Sequence, residues 1–92
     1  MCSTIKMYYV YVLLSKKDSK FYIGHTKDLR NRLKEHNNGR VESTCSRRPF
    51  RVIYYEASEH LKDALKREKY LKSTYGHRYL RNRLQYSIDK ER

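Results

Sequence analysis

The hydrophobic pattern changes period several times along the chain. Tyr8-Tyr9-Val10-Tyr11-Val12-Leu13-Leu14 is an unbroken aromatic and β-branched run, which predicts a strand buried on both faces. Ser15 to Lys20 is wholly polar and reads as a turn, and Phe21-Tyr22-Ile23-Gly24 returns as a second strand, so the pair reads as a hairpin. A helix follows, with Asp28 or Thr26 able to cap it. Leu29, Leu33 and His36 form its inward stripe, and Asn37-Asn38-Gly39 ends it. Residues 40–49 read as a basic loop holding Ser43, Thr44 and the chain's one proline, Pro49. Phe50 to Ala57 predicts a third strand and Glu59 to Ser73 a second, longer helix. Gly76 punctuates, and residues 77–86 predict a third helix carrying Tyr79, Leu80 and Leu84, with Arg83 along it.

The order β-β-α-β-α-α argues a small α+β domain: a three-stranded, mainly antiparallel sheet flanked by helices. Residues 1–6 read as a loose lead-in, 7–86 as the single domain, and 87–92 as a charged tail. With 92 residues the core is modest, and any substrate must lie on its surface.

Three positions fit this pattern poorly. On the second helix, Leu61, Ala64, Leu65 and Leu71 mark the predicted buried face, and Glu68 falls in the middle of it. A carboxylate there calls for a metal ion or an ion pair with a core-facing arginine. On the first helix, Arg32 and His36 are four apart and share a face bordering Leu29 and Leu33. Tyrosine occurs ten times; Tyr9 and Tyr11 share a strand face, with Tyr22 on the paired strand. Packing a small core accounts for many of these rings, and stacking on bases is the functional counterpart.

Charge narrows the function. Lys and Arg number 22 against 10 acidic residues, a net charge of +12, which repels itself and favours a polyanionic partner. Nucleic acid leads; an anionic membrane surface is weaker, since no helix carries a clean Trp/Phe/Leu face. The longest apolar run is far short of the ~20 residues a spanning helix needs, and Met1 to Lys6 lacks a secretory apolar core. Cys2 and Cys45 have neither metal-site spacing nor reason to pair, as suits free thiols in a cytoplasmic protein.

Tyr9-Val10-Tyr11, ten intervening residues, and Tyr22-Ile23-Gly24 resemble the paired signature of the GIY-YIG nuclease superfamily. Thr26, Leu29, Arg32 and Lys34 to Gly39 resemble its first helix. Ser43-Thr44 to Arg48-Pro49 and Val52 to Glu56 are similar to small stand-alone bacterial members. Ala64, Glu68 and Leu71-Lys72-Ser73 resemble the helix bearing the family's acidic residue. The chain departs from the signature where Tyr9 replaces its first glycine, and Asn82 is a loose counterpart of a late asparagine.

The resemblance covers residues 7–85 and implies a metal-dependent DNA endonuclease acting in repair, recombination or foreign-DNA processing. It implies Tyr11, Tyr22, Arg32 and His36 as catalytic residues, with the two tyrosines flanking the attacked phosphate. It implies Glu68 as ligand of one divalent ion, magnesium first and manganese second. The basic residues Lys27, Arg40, Arg47, Arg48, Arg51, Arg78, Arg81 and Arg83 are the expected phosphate-binding groups on DNA, with RNA still open. The competing expectation is a non-catalytic nucleic-acid-binding module on the same fold.

Overall fold

A computed structural model describes residues 6–89. The expected lead-in, apart from Lys6, and the end of the tail lie outside these residues, as does Cys2; Cys45 is a free thiol. The elements are β1 (Tyr8–Ser15), β2 (Phe21–Thr26), α1 (Leu29–Asn37), a 3-10 turn (Cys45–Arg47), β3 (Phe50–Ser58), α2 (Leu61–Lys72), α3 (Thr74–Arg83) and α4 (Gln85–Asp89).

The sheet order is β2-β1-β3, antiparallel throughout. The continuous apolar run is thus the central strand, covered on both faces, and Val10 to Leu14 are all at most 1% exposed. Alternation sends Val10 and Val12 to one face and Tyr11 and Leu13 to the other. On the first face they meet Ile23, Ala64, Leu71, Leu80 and Leu84; on the second, Phe50 with Tyr22, Leu29, Leu33 and Val52. The β1–β3 register shifts between Val12 and Leu13, which pair with Tyr54 and Val52. Ile53 is the extra residue of this bulge, so Ile53 and Tyr54 both pack toward α2 and α3.

Side chains fix the connections. Asp28 caps α1, its Oδ1 accepting from Asn31 N at 3.0 Å. Asn37 brackets Phe50, donating to its carbonyl (3.0 Å) and accepting from its amide (2.7 Å), which ties the end of α1 to the start of β3. Ser73 closes α2 and opens α3: its hydroxyl donates to Tyr70 O and accepts from Gly76 N. Gly76 therefore stands in the first turn of α3, and the helix break falls at Ser73. A Cβ on Gly76 would collide with the Tyr70 carbonyl and the Leu71 backbone, so the glycine allows the two helices to touch.

The buried line of α2 is narrower than expected. Ala64 and Leu71 are fully buried, whereas Leu61 and Leu65 are 38% and 41% exposed. Helix also continues past residue 86 as α4, and Ile88 packs against the α2–α3 core.

Candidate active site

The site forms where β1, β2 and α1 meet. Tyr11 projects from the central strand beneath α1, and its register partner on β2 is Gly24. A Cβ on Gly24 would lie 2.7 Å from the Tyr11 hydroxyl, so only glycine leaves room for that group. The hydroxyl meets His36 Nε2 at 2.9 Å. Tyr22 packs against both, with ring centroids 6.3 Å from Tyr11 and 4.8 Å from His36. His36 is fully buried rather than at the edge of the core, and its Nδ1 meets Thr44 Oγ1 at 2.8 Å.

The partners at each end favour one direction for this chain of hydrogen bonds. Thr44 Oγ1 lies 3.4 Å from the Val41 carbonyl, which can only accept; with its proton there, its oxygen takes the proton of His36 Nδ1. Nε2 then carries the lone pair and accepts from the Tyr11 O–H. The Arg32 guanidinium, whose Nη1 holds Glu35 Oε1 at 2.9 Å, lies near enough for its charge to act on the Tyr11 phenol. Burial and the Arg32 charge push the His36 pKa down to about 4, so the imidazole is neutral at pH 7. Burial pushes the Tyr11 phenol up to about 12, against the opposing pull of Arg32. No buried side-chain polar atom among the described residues lacks a partner.

Glu68 approaches from α2, and its charge also acts on the Tyr11 phenol. Its side chain is 12% exposed. Oε1 pairs with His25 Nδ1 at 2.7 Å and Oε2 with Lys72 Nζ at 2.9 Å. The expected arginine partner is thus replaced by a histidine and a lysine, both well exposed. His25 carries no signal in the sequence beyond its place in the strand, although alternation from Ile23 sets it on the α2 side of β2. Thr44, expected only as a loop residue, owes its role to a loop that folds back over α1.

Of the five residues expected to act together, Tyr11, Tyr22 and His36 are in contact, Arg32 and Glu68 act on the Tyr11 phenol through their charges, and Glu68 makes its contacts with His25 and Lys72. The cationic residues are dispersed. Arg47 is pinned to the β1–β2 turn through Asp18 (2.7 Å) and the carbonyls of Lys20 and Phe21, and this pairing draws the Asp18 pKa down to about 2. Arg51 donates to Ser87 O. Arg48 is exposed and packs against Gly39, whose φ of +76° favours glycine. Arg40 is exposed beyond the end of α1. Lys27, Arg78 and Arg83 lie over the rings of Tyr8, Tyr75 and Tyr54. Arg81 lines a cavity of about 460 Å³ with Lys20, Arg47 and His77. Asn82 is exposed on α3 beside Arg78 and Gln85. No helix among the described residues is long and apolar enough to cross a membrane.

Residues 7–83 match the family described as the GIY-YIG catalytic domain. The chain is 42% identical over 67 residues to UPF0213 protein CPE1444 of Clostridium perfringens, covering 72% of this chain and 71% of that one. It is 40% identical over 74 residues to a UPF0213 protein of Lacticaseibacillus paracasei, covering 79% and 82%. The solution NMR structure of the UPF0213 protein BH0048 from Bacillus halodurans superposes with a TM-score of 0.50 at 32% identity, covering 80% of this chain and 81% of that one.

Proposed function

This chain belongs to the GIY-YIG family of catalytic domains, and on that premise we propose that it is a cytoplasmic DNA endonuclease that hydrolyses phosphodiester bonds with one divalent metal ion. One observation carries the reading: the buried Tyr11 hydroxyl meets His36 Nε2 at 2.9 Å within the fields of the Arg32 guanidinium and the Glu68 carboxylate. A core built only for stability has no need of this arrangement.

The donor chemistry at Glu68 fits a hard cation. Its carboxylate is the available oxygen ligand, and no group of three or more potential metal-binding His, Cys, Asp or Glu side chains exists among the described residues. Such a site leaves the ion most of its waters, as magnesium prefers. Lys72, 55% exposed, can move to solvent when a cation takes its place. When bound, the ion would supply Lewis acidity at the scissile phosphate.

The chain's own residues have separate tasks. Arg32 offers its remaining N–H groups to a phosphate oxygen. Tyr11 positions the attacking water. With its pKa held near 4, the His36 imidazole orients the Tyr11 proton by a hydrogen bond and does not take it up. The Tyr11 oxygen is left to accept a hydrogen bond from the attacking water, whose proton passes to solvent as the phosphate is attacked. Tyr22 walls the other side of the hydroxyl.

One observation favours the non-catalytic reading: both Glu68 oxygens are already engaged by His25 and Lys72. A cleavage assay on labelled branched, flapped and linear DNA separates the two. Endonuclease function requires cleavage in magnesium that stops in EDTA and falls sharply in Tyr11→Phe. Salt-sensitive binding without cleavage in magnesium or manganese would leave a binding module.

A further inference from the structure

A second concave surface adjoins the site on the α1 side of the sheet. Tyr9 is two residues from Tyr11 on the same strand face, and Tyr55 is the register partner of Tyr11 on β3. Their rings meet edge to face, with centroids 5.9 Å apart. They border a cleft of about 560 Å³ floored by Leu33 and Val52 and edged by Lys27 and Arg30. Asp28, also at its edge, is committed to capping α1. Tyr55 is 54% exposed, so the part of its ring that Tyr9 does not meet is open to a partner.

We propose that this cleft binds an unpaired nucleotide of the DNA substrate, with the base against Tyr9 and Tyr55 and the adjoining phosphates on Lys27 and Arg30. The assignment rests on the endonuclease reading and names its substrate class: DNA that is single-stranded beside the cut. Aromatic faces interleaved with cations are the means by which proteins hold single strands, because every base offers a π-face and duplex bases do not. Charge selects the occupant. A chain of net charge +12 repels a second copy of itself, and the two cations at the rim suit a polyanion. Position adds the functional link, since Tyr9 and Tyr55 flank the residue proposed to hold the attacking water.

The test measures binding by fluorescence anisotropy in EDTA, so that nothing is cut. The probes are a labelled oligothymidylate, the duplex of the same length, and an abasic strand with the same phosphates. The parent is expected to bind oligothymidylate more tightly than the other two. Tyr55→Ala should weaken oligothymidylate binding by roughly 5- to 150-fold, the range for removing one base–aromatic stack, and leave duplex binding within about twofold. Tyr55→Phe should restore the parent value. Tyr55 is half exposed, and an unchanged thermal midpoint for Tyr55→Ala checks the fold. Equal affinity for abasic and oligothymidylate strands, or equal weakening of all three probes, would overturn the proposal. So would Tyr55-dependent self-association, which would make the cleft an interface between copies. Metal-dependent cleavage without strand preference would overturn this inference and keep the endonuclease. Base-dependent binding without cleavage would do the reverse.

Discussion

The two faces of the sheet are built from the same three strands and do different work. Toward α2 and α3, Val10, Val12 and Ile23 meet Ala64, Leu71, Leu80 and Leu84, and the helices touch closely enough to require Gly76. Toward α1, the corresponding layer holds Tyr11 and His36, joined in hydrogen bonds that run on to Thr44, with the Tyr22 ring packed against both. The first face is stabilised by apolar burial and tolerates no added atom against backbone. The second buries polar groups that contribute little net stability once satisfied. Each face has its glycine, and the contrast is instructive. At Gly76 an added methyl meets backbone, whereas at Gly24 it meets the side chain of the residue at the centre of the site, Tyr11.

That contrast can be broken by substitution. The largest stability effect is expected from Leu80→Ala, which empties a fully buried position on the α2–α3 face and should cost about 2–5 kcal/mol by denaturant unfolding. Cleavage per folded molecule should be unchanged; a specific loss of activity would mean that the faces are not separable. Next comes a pH effect confined to the other face. Unfolded His36 takes up a proton near pH 6.5, whereas in the fold it does so near 4. Its contribution is full above pH 6.5 and declines as pH falls toward 4, by about 3 kcal/mol in all. His36→Gln should remove that part of the slope, and an unaltered slope would show that the buried imidazole is not responsible. Gly24→Ala should displace the Tyr11 hydroxyl and slow cleavage on the order of 100-fold, with a change in melting temperature well below that of Leu80→Ala. Normal activity in Gly24→Ala would contradict the need for room at that hydroxyl. The smallest effect concerns Arg81 and Arg83: replacing either by alanine should flatten the salt dependence of duplex binding by about 0.9 for each phosphate it neutralises. Arg47→Ala should instead lower stability by freeing the β1–β2 turn, because its guanidinium is engaged by Asp18 and two carbonyls.

Much of this division was legible in the residues. The unbroken run from Tyr8 to Leu14 announced a strand covered on both sides, and the signature spacing brought Tyr11 and Tyr22 together on neighbouring strands. Glu68 stood out because periodicity set it in line with Ala64 and Leu71. Periodicity gives the direction of a helix face and not its width, which is why Leu61 and Leu65 were assigned to a core they only border. The partners of Glu68 depend on which element packs beside α2, and no local pattern at His25 reports that. Thr44 is a further case: only the fold of the 40–49 loop over α1 makes it the second anchor of His36. Arg47 has the sequence surroundings of any exposed arginine in a basic loop, and only the approach of the turn at Asp18 sets it apart.

The central claim is that Glu68 holds a cation for chemistry and not a side chain for stability. Its partners are exposed enough to return to water when released, so Glu68→Gln should shift stability by less than about 1 kcal/mol. The decisive measurement is single-turnover cleavage of a flapped DNA by parent and Glu68→Gln across a magnesium titration, with thermal midpoints on the same samples. The account predicts magnesium-dependent cleavage in the parent, none in Glu68→Gln, and nearly equal midpoints. Undiminished cleavage by Glu68→Gln, or a variant several kcal/mol less stable with no magnesium-dependent cleavage in the parent, would contradict it.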